Sequence, residues 1–181
     1  MRAFVKKRRV PDCSLCVEVA YLEIDQMRST FTELATLLLG NVKQANSFMT
    51  KAKLHSMEEL EDSWWNLYEK LLSTGRAVEL SLKIELEDFL YNVQKLIHNK
   101  NVSTDENLTG DVSIDTAAFD DSQCIGDWCA HFNSTWKNHK LVGMDIGTDS
   151  LVLMVLSNEE FKRAQELAKE LLHRIDVAER L

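Results

Sequence analysis

Two carboxylates stand four residues apart in "GMDIGTDSLV", with Gly147 between Asp145 and Asp149. Two kinds of chemistry are open to such a pair. They could supply part of the oxygen shell that a hard divalent cation demands. They could also act as general acid and base, once burial has raised one pKa above the other. Neither arrangement is complete in the sequence. The spacing of a calcium-binding loop is absent, with its late glutamate, and nothing beside the pair marks a pocket. The plain alternative is a turn, in which Asp145 ends one strand and Gly147 supplies a positive φ. Asp149 would then accept hydrogen bonds from the free amides of the loop. A further reading makes both aspartates an acidic spot that faces a partner.

Other reactive residues form no site. Cys13 and Cys16 have zinc-knuckle spacing, but Cys124 and Cys129 are spaced C-x4-C on an expected helix, and His131 does not complete a ligand set. Cys129 falls in the apolar stripe of that helix, as a core thiol would. There is no nucleophile elbow, phosphate loop, dinucleotide fingerprint or H-E-x-x-H pair. His98, His139 and His173 each fall at or beyond an expected helix end, where a cation is mildly favoured. No catalytic residue, metal or cofactor is expected. The opening "MRAFVKKRRVPDCSLCVEVAYLEID" begins like a secretory leader, but Asp12, Glu18 and Glu23 interrupt its apolar region. Reduced thiols and a cytoplasmic location are therefore expected, and the three Asn-x-Ser/Thr sequons carry no weight.

Charge says more. Five of the 21 basic residues (Arg2, Lys6, Lys7, Arg8 and Arg9) lie in the first ten positions, without an acid. The remaining chain sets 16 basic against 29 acidic residues, a net charge of −13. A body so acidic repels nucleic acid and attracts basic proteins. The basic arm alone could neutralise phosphates of nucleic acid or an anionic membrane. No apolar stretch reaches the ~18–20 residues that span a bilayer.

The elements that must position these residues can be read from period and caps. With 45% apolar residues, a chain of 181 has the substance for one domain. Residues 1–26 carry no helical period. "VEVAYLEI" alternates as a short strand would, and a basic disordered arm is the other reading of that segment. A single domain is expected over residues 27–181. "TFTE" reads as a capping box at Thr30, opening a helix on Leu34, Leu37 and Leu38 that Gly40 closes. Asn41 caps a second helix. "SMEE" at Ser56 opens a third, with Leu60, Trp64, Leu67 and Leu71 as its stripe and Trp65 about 100° away. "AVELSL" alternates as a half-buried strand, and "ELEDFLYNVQKLI" is helical. Residues 99–121 form a polar, mobile connector in which "DVSID" alone could pair. A fifth helix spans about 122–136. Strands on either side of "GTD" make a β-hairpin over residues 140–156, apolar on both faces from Leu151 to Leu156. "SNEE" at Ser157 then caps a last helix. The fold expected is α+β: helices dominant, around a small antiparallel sheet.

"WWNLYEKLLSTGRAVELSLKIELEDFLYNVQKL" and the later "LVGMDIGTDSLVLMVLSNEEFKRAQELAKEL" resemble an uncharacterised bacterial family, a domain of unknown function. That family has a D-x-G-x-D-S-Y-x-L hairpin and then a helix with "ELA". Asp145, Gly147, Asp149, Ser150 and Leu153 match, as do Glu166, Leu167 and Ala168; Leu151 stands where the family favours tyrosine. The resemblance covers residues 57–175 and implies a fold without catalytic residues. Small acidic proteins of this kind are frequent among immunity proteins of bacterial toxin systems. The expected function is therefore a non-enzymatic acidic binding protein, most concretely an immunity protein neutralising a basic toxin such as a nuclease. Asp120, Asp121, Asp145 and Asp149 would steer association, with Trp65 as an aromatic anchor. The alternative is a metal-dependent hydrolase using Asp145 and Asp149.

Overall fold

The computed structural model describes the backbone of residues 14–52, 54–104 and 112–181, and the side chains of these except 14–23, 57 and 101–104. In chain order the elements are α1 (Ser14–Leu39), α2 (Val42–Met49), α3 (Met57–Ser73), β1 (Val78–Ser81) and α4 (Leu86–Thr104). There follow α5 (Ile125–Thr135), β2 (His139–Met144), β3 (Ser150–Ser157), α6 (Asn158–Glu170) and β4 (Ile175–Val177). The strands form one antiparallel sheet in the order β1-β3-β2-β4.

β3 is central because its sequence can be. "LVLMVL" is apolar at consecutive positions, so both faces of the strand can be covered. Val152, Met154 and Leu156 turn to one face, where α1 supplies Phe31 and Leu34, α2 Met49, α3 Leu67 and α6 Leu167. Leu151, Leu153 and Val155 turn to the other, against Phe89 and Val93 of α4 and Trp128 and Phe132 of α5. The result is a helix–sheet–helix sandwich with two cores that share one strand. It is the expected α+β domain, with the hairpin in the expected place.

Local signals explain most of the boundaries. Gly40 closes α1 at φ +63°, and the Asn41 side chain accepts the amides of Lys43 and Gln44 to start α2. Ser56 accepts the Glu59 amide at 3.2 Å, while Glu59 reaches past it to the His55 amide at 2.7 Å. Ser157 and Glu160 make the full reciprocal box at the start of α6. Each such cap contributes on the order of 1 kcal/mol.

Four expectations on secondary structure give way. Thr30 is inside α1, not at its start: its hydroxyl donates to Glu170 at 3.1 Å, and Glu33 takes a two-pronged bond from Arg163 of α6 at 2.6 and 2.8 Å. Side chains with capping chemistry are used here to hold two helices together. "VEVAYLEI" is helical rather than a strand, because α1 runs unbroken from Ser14, and Met27 already packs on the core. α4 continues to Thr104, which takes residues 99–104 from the connector and leaves His98 inside a helix. Val112–Asp115 pair with no strand; Val112 is instead buried against the α4–α5 core. Residues 1–13, with the five basic side chains and Cys13, and the Cys16 side chain lie outside the described residues.

Candidate functional site

Asp145 leaves β2 with both main-chain groups engaged. Its amide donates to the Arg174 carbonyl at 3.0 Å, and its carbonyl accepts from the Trp64 indole at 2.9 Å. The carboxylate turns back on the loop and accepts the Gly147 amide at 2.9 Å, while the Thr148 hydroxyl accepts the Ser150 amide at 3.3 Å. The side-chain capping expected of Asp149 therefore falls to Asp145 and Thr148. Asp149 stands exposed on the far side of the turn. Gly147 holds φ +71° as expected.

Opposite this turn, α6 ends in a tight left-handed cap. The Leu172 amide donates to the Lys169 carbonyl at 3.1 Å and the His173 amide to the Ala168 carbonyl at 2.9 Å. This bonding pattern puts one residue in the left-handed region, a place glycine usually takes. Leu172 takes it here at φ +61°, with its side chain 79% exposed. The next residue, His173, lies flat on Trp64 with ring centroids 4.0 Å apart and planes 6° from parallel. Its Nε2 is buried without a hydrogen-bond partner. Burial lowers the His173 pKa against the pull of Glu61 and Asp145, so the ring is neutral near pH 7.

Between the turn and the cap lies a cleft of about 350 Å³, walled by Glu61, Trp64, Trp65, Asp145, Leu172 and His173. Trp65, next to the buried Trp64, is 43% exposed and meets Tyr68 edge-on at 5.1 Å. Arg174 also borders the cleft, but its guanidinium is taken by Asp176 at 3.2 Å and the Arg180 carbonyl at 2.6 Å. The charge left over is negative. A neighbouring groove of about 470 Å³, bounded by Met27, Thr30, Leu60 and Glu170, shares Leu172 as its rim. A third cleft, between α2 and α3, sets Lys51 and Lys70 beside Glu69, which leaves it net positive.

Of the five residues expected to face a partner, the fold brings Asp145 and Trp65 into one cleft. Asp149 is close in sequence yet outside it. Asp120 belongs to the opposite layer: its carbonyl accepts the Trp128 indole at 3.0 Å, and its carboxylate accepts the Ser122 amide at 2.8 Å, which lowers its pKa. Asp121 is exposed beside it. Glu61, Leu172 and His173 were not anticipated. Glu61 and His173 are distant in the chain from the hairpin they face. Leu172 carries one faint signal: α6 stops where neither glycine nor asparagine follows to take a left-handed cap.

Other reactive groups are employed in the fold. Cys129 is fully buried and burial pushes its thiol up to about 12, which makes it inert. Cys124 caps α5, its thiol against Asp127 at 3.2 Å. Lys100, buried on α4, pairs with Glu160 of α6. Burial opposes charge on Glu160, but Lys100 and the Ser157 amide outweigh it and keep the carboxyl low. Among the described residues no three His, Cys, Asp or Glu side chains converge as a metal site, and no helix is long and apolar enough to cross a membrane.

No match to the chain was found among curated proteins or solved structures. A family model does match, over residues 24–178, from the middle of α1 through β4. The chain belongs to the family described as a domain of unknown function, DUF6630.

Proposed function

We propose that this protein is a non-enzymatic binding protein whose partner is a basic protein, acting in the cytoplasm. Most concretely, it is an immunity protein that covers a cationic toxin domain such as a nuclease. The observation that carries this reading is the charge: 16 basic against 29 acidic residues outside the first ten. That imbalance speeds encounter with a cation-rich surface and disfavours nucleic acid. The cleft adds an anchor of the kind interfaces use, an exposed tryptophan beside carboxylates.

The test is association with the basic domain encoded next to this chain, measured at several ionic strengths. The reading expects tight binding whose on-rate falls about tenfold or more as salt rises from low to physiological strength. An absence of binding to any basic domain encoded beside it would remove the proposal.

A further inference from the structure

The cleft between the β2–β3 turn and the end of α6 combines three features. Its carboxylates are uncompensated among the described residues: neither Glu61 nor the second oxygen of Asp145 is held there by a cation, and Arg174 is turned to Asp176 and the chain end. It has an exposed aromatic wall in Trp65, which meets Tyr68 edge-on, and a second wall in the stack of Trp64 and His173. Its rim carries Leu172, a large apolar side chain placed in solvent at a left-handed backbone conformation that strains a non-glycine residue. At about 350 Å³ the hollow takes one long side chain, not a folded element.

We propose that this cleft receives an arginine side chain of the basic partner, its guanidinium against the face of Trp65 and the carboxylates of Glu61 and Asp145, while Leu172 packs on the partner beside it. The inference rests on the binding reading above and locates it. Arginine is favoured over lysine because a planar, weakly hydrated guanidinium can stack on an indole and bond two carboxylates at once. An ammonium does less of both. The fixed cleft walls reduce the ordering that binding must impose. His173, uncharged, adds no repulsion.

The experiment uses the full chain and two probes, N-acetyl-arginine-methylamide and its lysine counterpart, with amide and indole NMR shifts as the readout. Saturable shifts are expected at the Trp65 indole and at the amides of Gly147, Leu172 and His173. The arginine probe should bind at least threefold more tightly than lysine. Glu61→Gln or Asp145→Asn should weaken it about tenfold, and Asp120→Asn should have no effect. Shifts spread evenly over the acidic surface, or equal for both probes, would overturn the proposal. So would binding that emerges only after residues 1–10 are deleted, since the chain's own basic segment would then be the occupant. A second arm separates this inference from the reading beneath it. If the neighbouring basic domain binds and Trp65→Ala, Glu61→Gln and Leu172→Gly leave its affinity within twofold, the cleft is wrong and the binding reading stands. If that domain does not bind at all, the reading itself has failed.

Discussion

Gly147 and Leu172 face each other across one cleft in nearly the same backbone conformation, φ +71° and φ +61°. At Gly147 the conformation is met by the residue that accepts it freely, and a β-carbon built there would touch nothing within 4 Å. At Leu172 a non-glycine residue takes the strain with its side chain 79% exposed, so burial offsets little of it. The first position answers to folding alone. The second is what the proposed partner contact would account for, since strain of this kind marks places under a constraint other than folding.

The largest effect should come from the side chain that supports both walls. Trp64→Ala removes the bond to the Asp145 carbonyl and the surface on which His173 lies. It should cost about 3–5 kcal/mol in chemical denaturation. A loss under about 1 kcal/mol would mean that the two turns stand independently of each other.

Gly147→Ala comes next, at about 1–2 kcal/mol. With no clash to relieve, the loss reads backbone strain directly. An unchanged midpoint would erase the contrast with Leu172.

Asp145→Ala should cost roughly 0.5–1.5 kcal/mol through the lost Gly147 bond. Asp145→Asn keeps the acceptor and should cost little. Asp149→Ala should remain within about 0.5 kcal/mol, as exposed substitutions do. A larger loss for Asp149 than for Asp145 would reverse the assignment of the turn.

His173 sharpens the comparison through pH. Its folded pKa lies below the ordinary 6.5, so the unfolded chain binds the proton first. Its contribution to stability is intact above pH 6.5 and is lost as pH falls from there toward the folded pKa. The melting temperature of the wild type should therefore drop more between pH 7 and pH 5 than that of His173→Phe, which keeps a flat ring on Trp64. Equal drops would show that the stack tolerates charge.

The smallest effect is the most diagnostic. Leu172→Gly relieves strain of about 1–2 kcal/mol but loosens the unfolded chain by about 0.4–1 kcal/mol. Stability should be unchanged or raised by up to about 1 kcal/mol, measured by denaturant titration. A clear loss would mean that the leucine packs after all.

What was legible in the sequence was what the chain specifies locally. Asn41, Ser56 and Ser157 each satisfy amides two or three residues away, and their short spacing announces it. The doubly apolar β3 told of two cores, and the α5 stripe located Cys129. Thr30 and Glu33 misled for the same reason in reverse. Their spacing is that of a cap, but their partners, Glu170 and Arg163, lie 140 and 130 residues away. The cleft was half legible: Trp65 and Asp145 could be singled out by type and Glu61 lies one helical turn before Trp65 on α3, whereas His173 joins them only through tertiary packing. Asp120 and Asp121 looked equivalent to Asp145 as charges, and only the fold separates the layers.

The two edges of the sheet carry a consequence of their own. β1 has four residues and β4 three, while the eight-residue β3 is paired by β1 over Ser150–Leu153 and by β2 over Val152–Ser157. A passing chain finds at either border only a few unpaired main-chain groups, too few to template added strands. The long apolar strand that would make the most dangerous template is the inner one, with β2 along most of it and β1 along its first half. The short outer strands thus offer little for copies of the chain to join edge to edge.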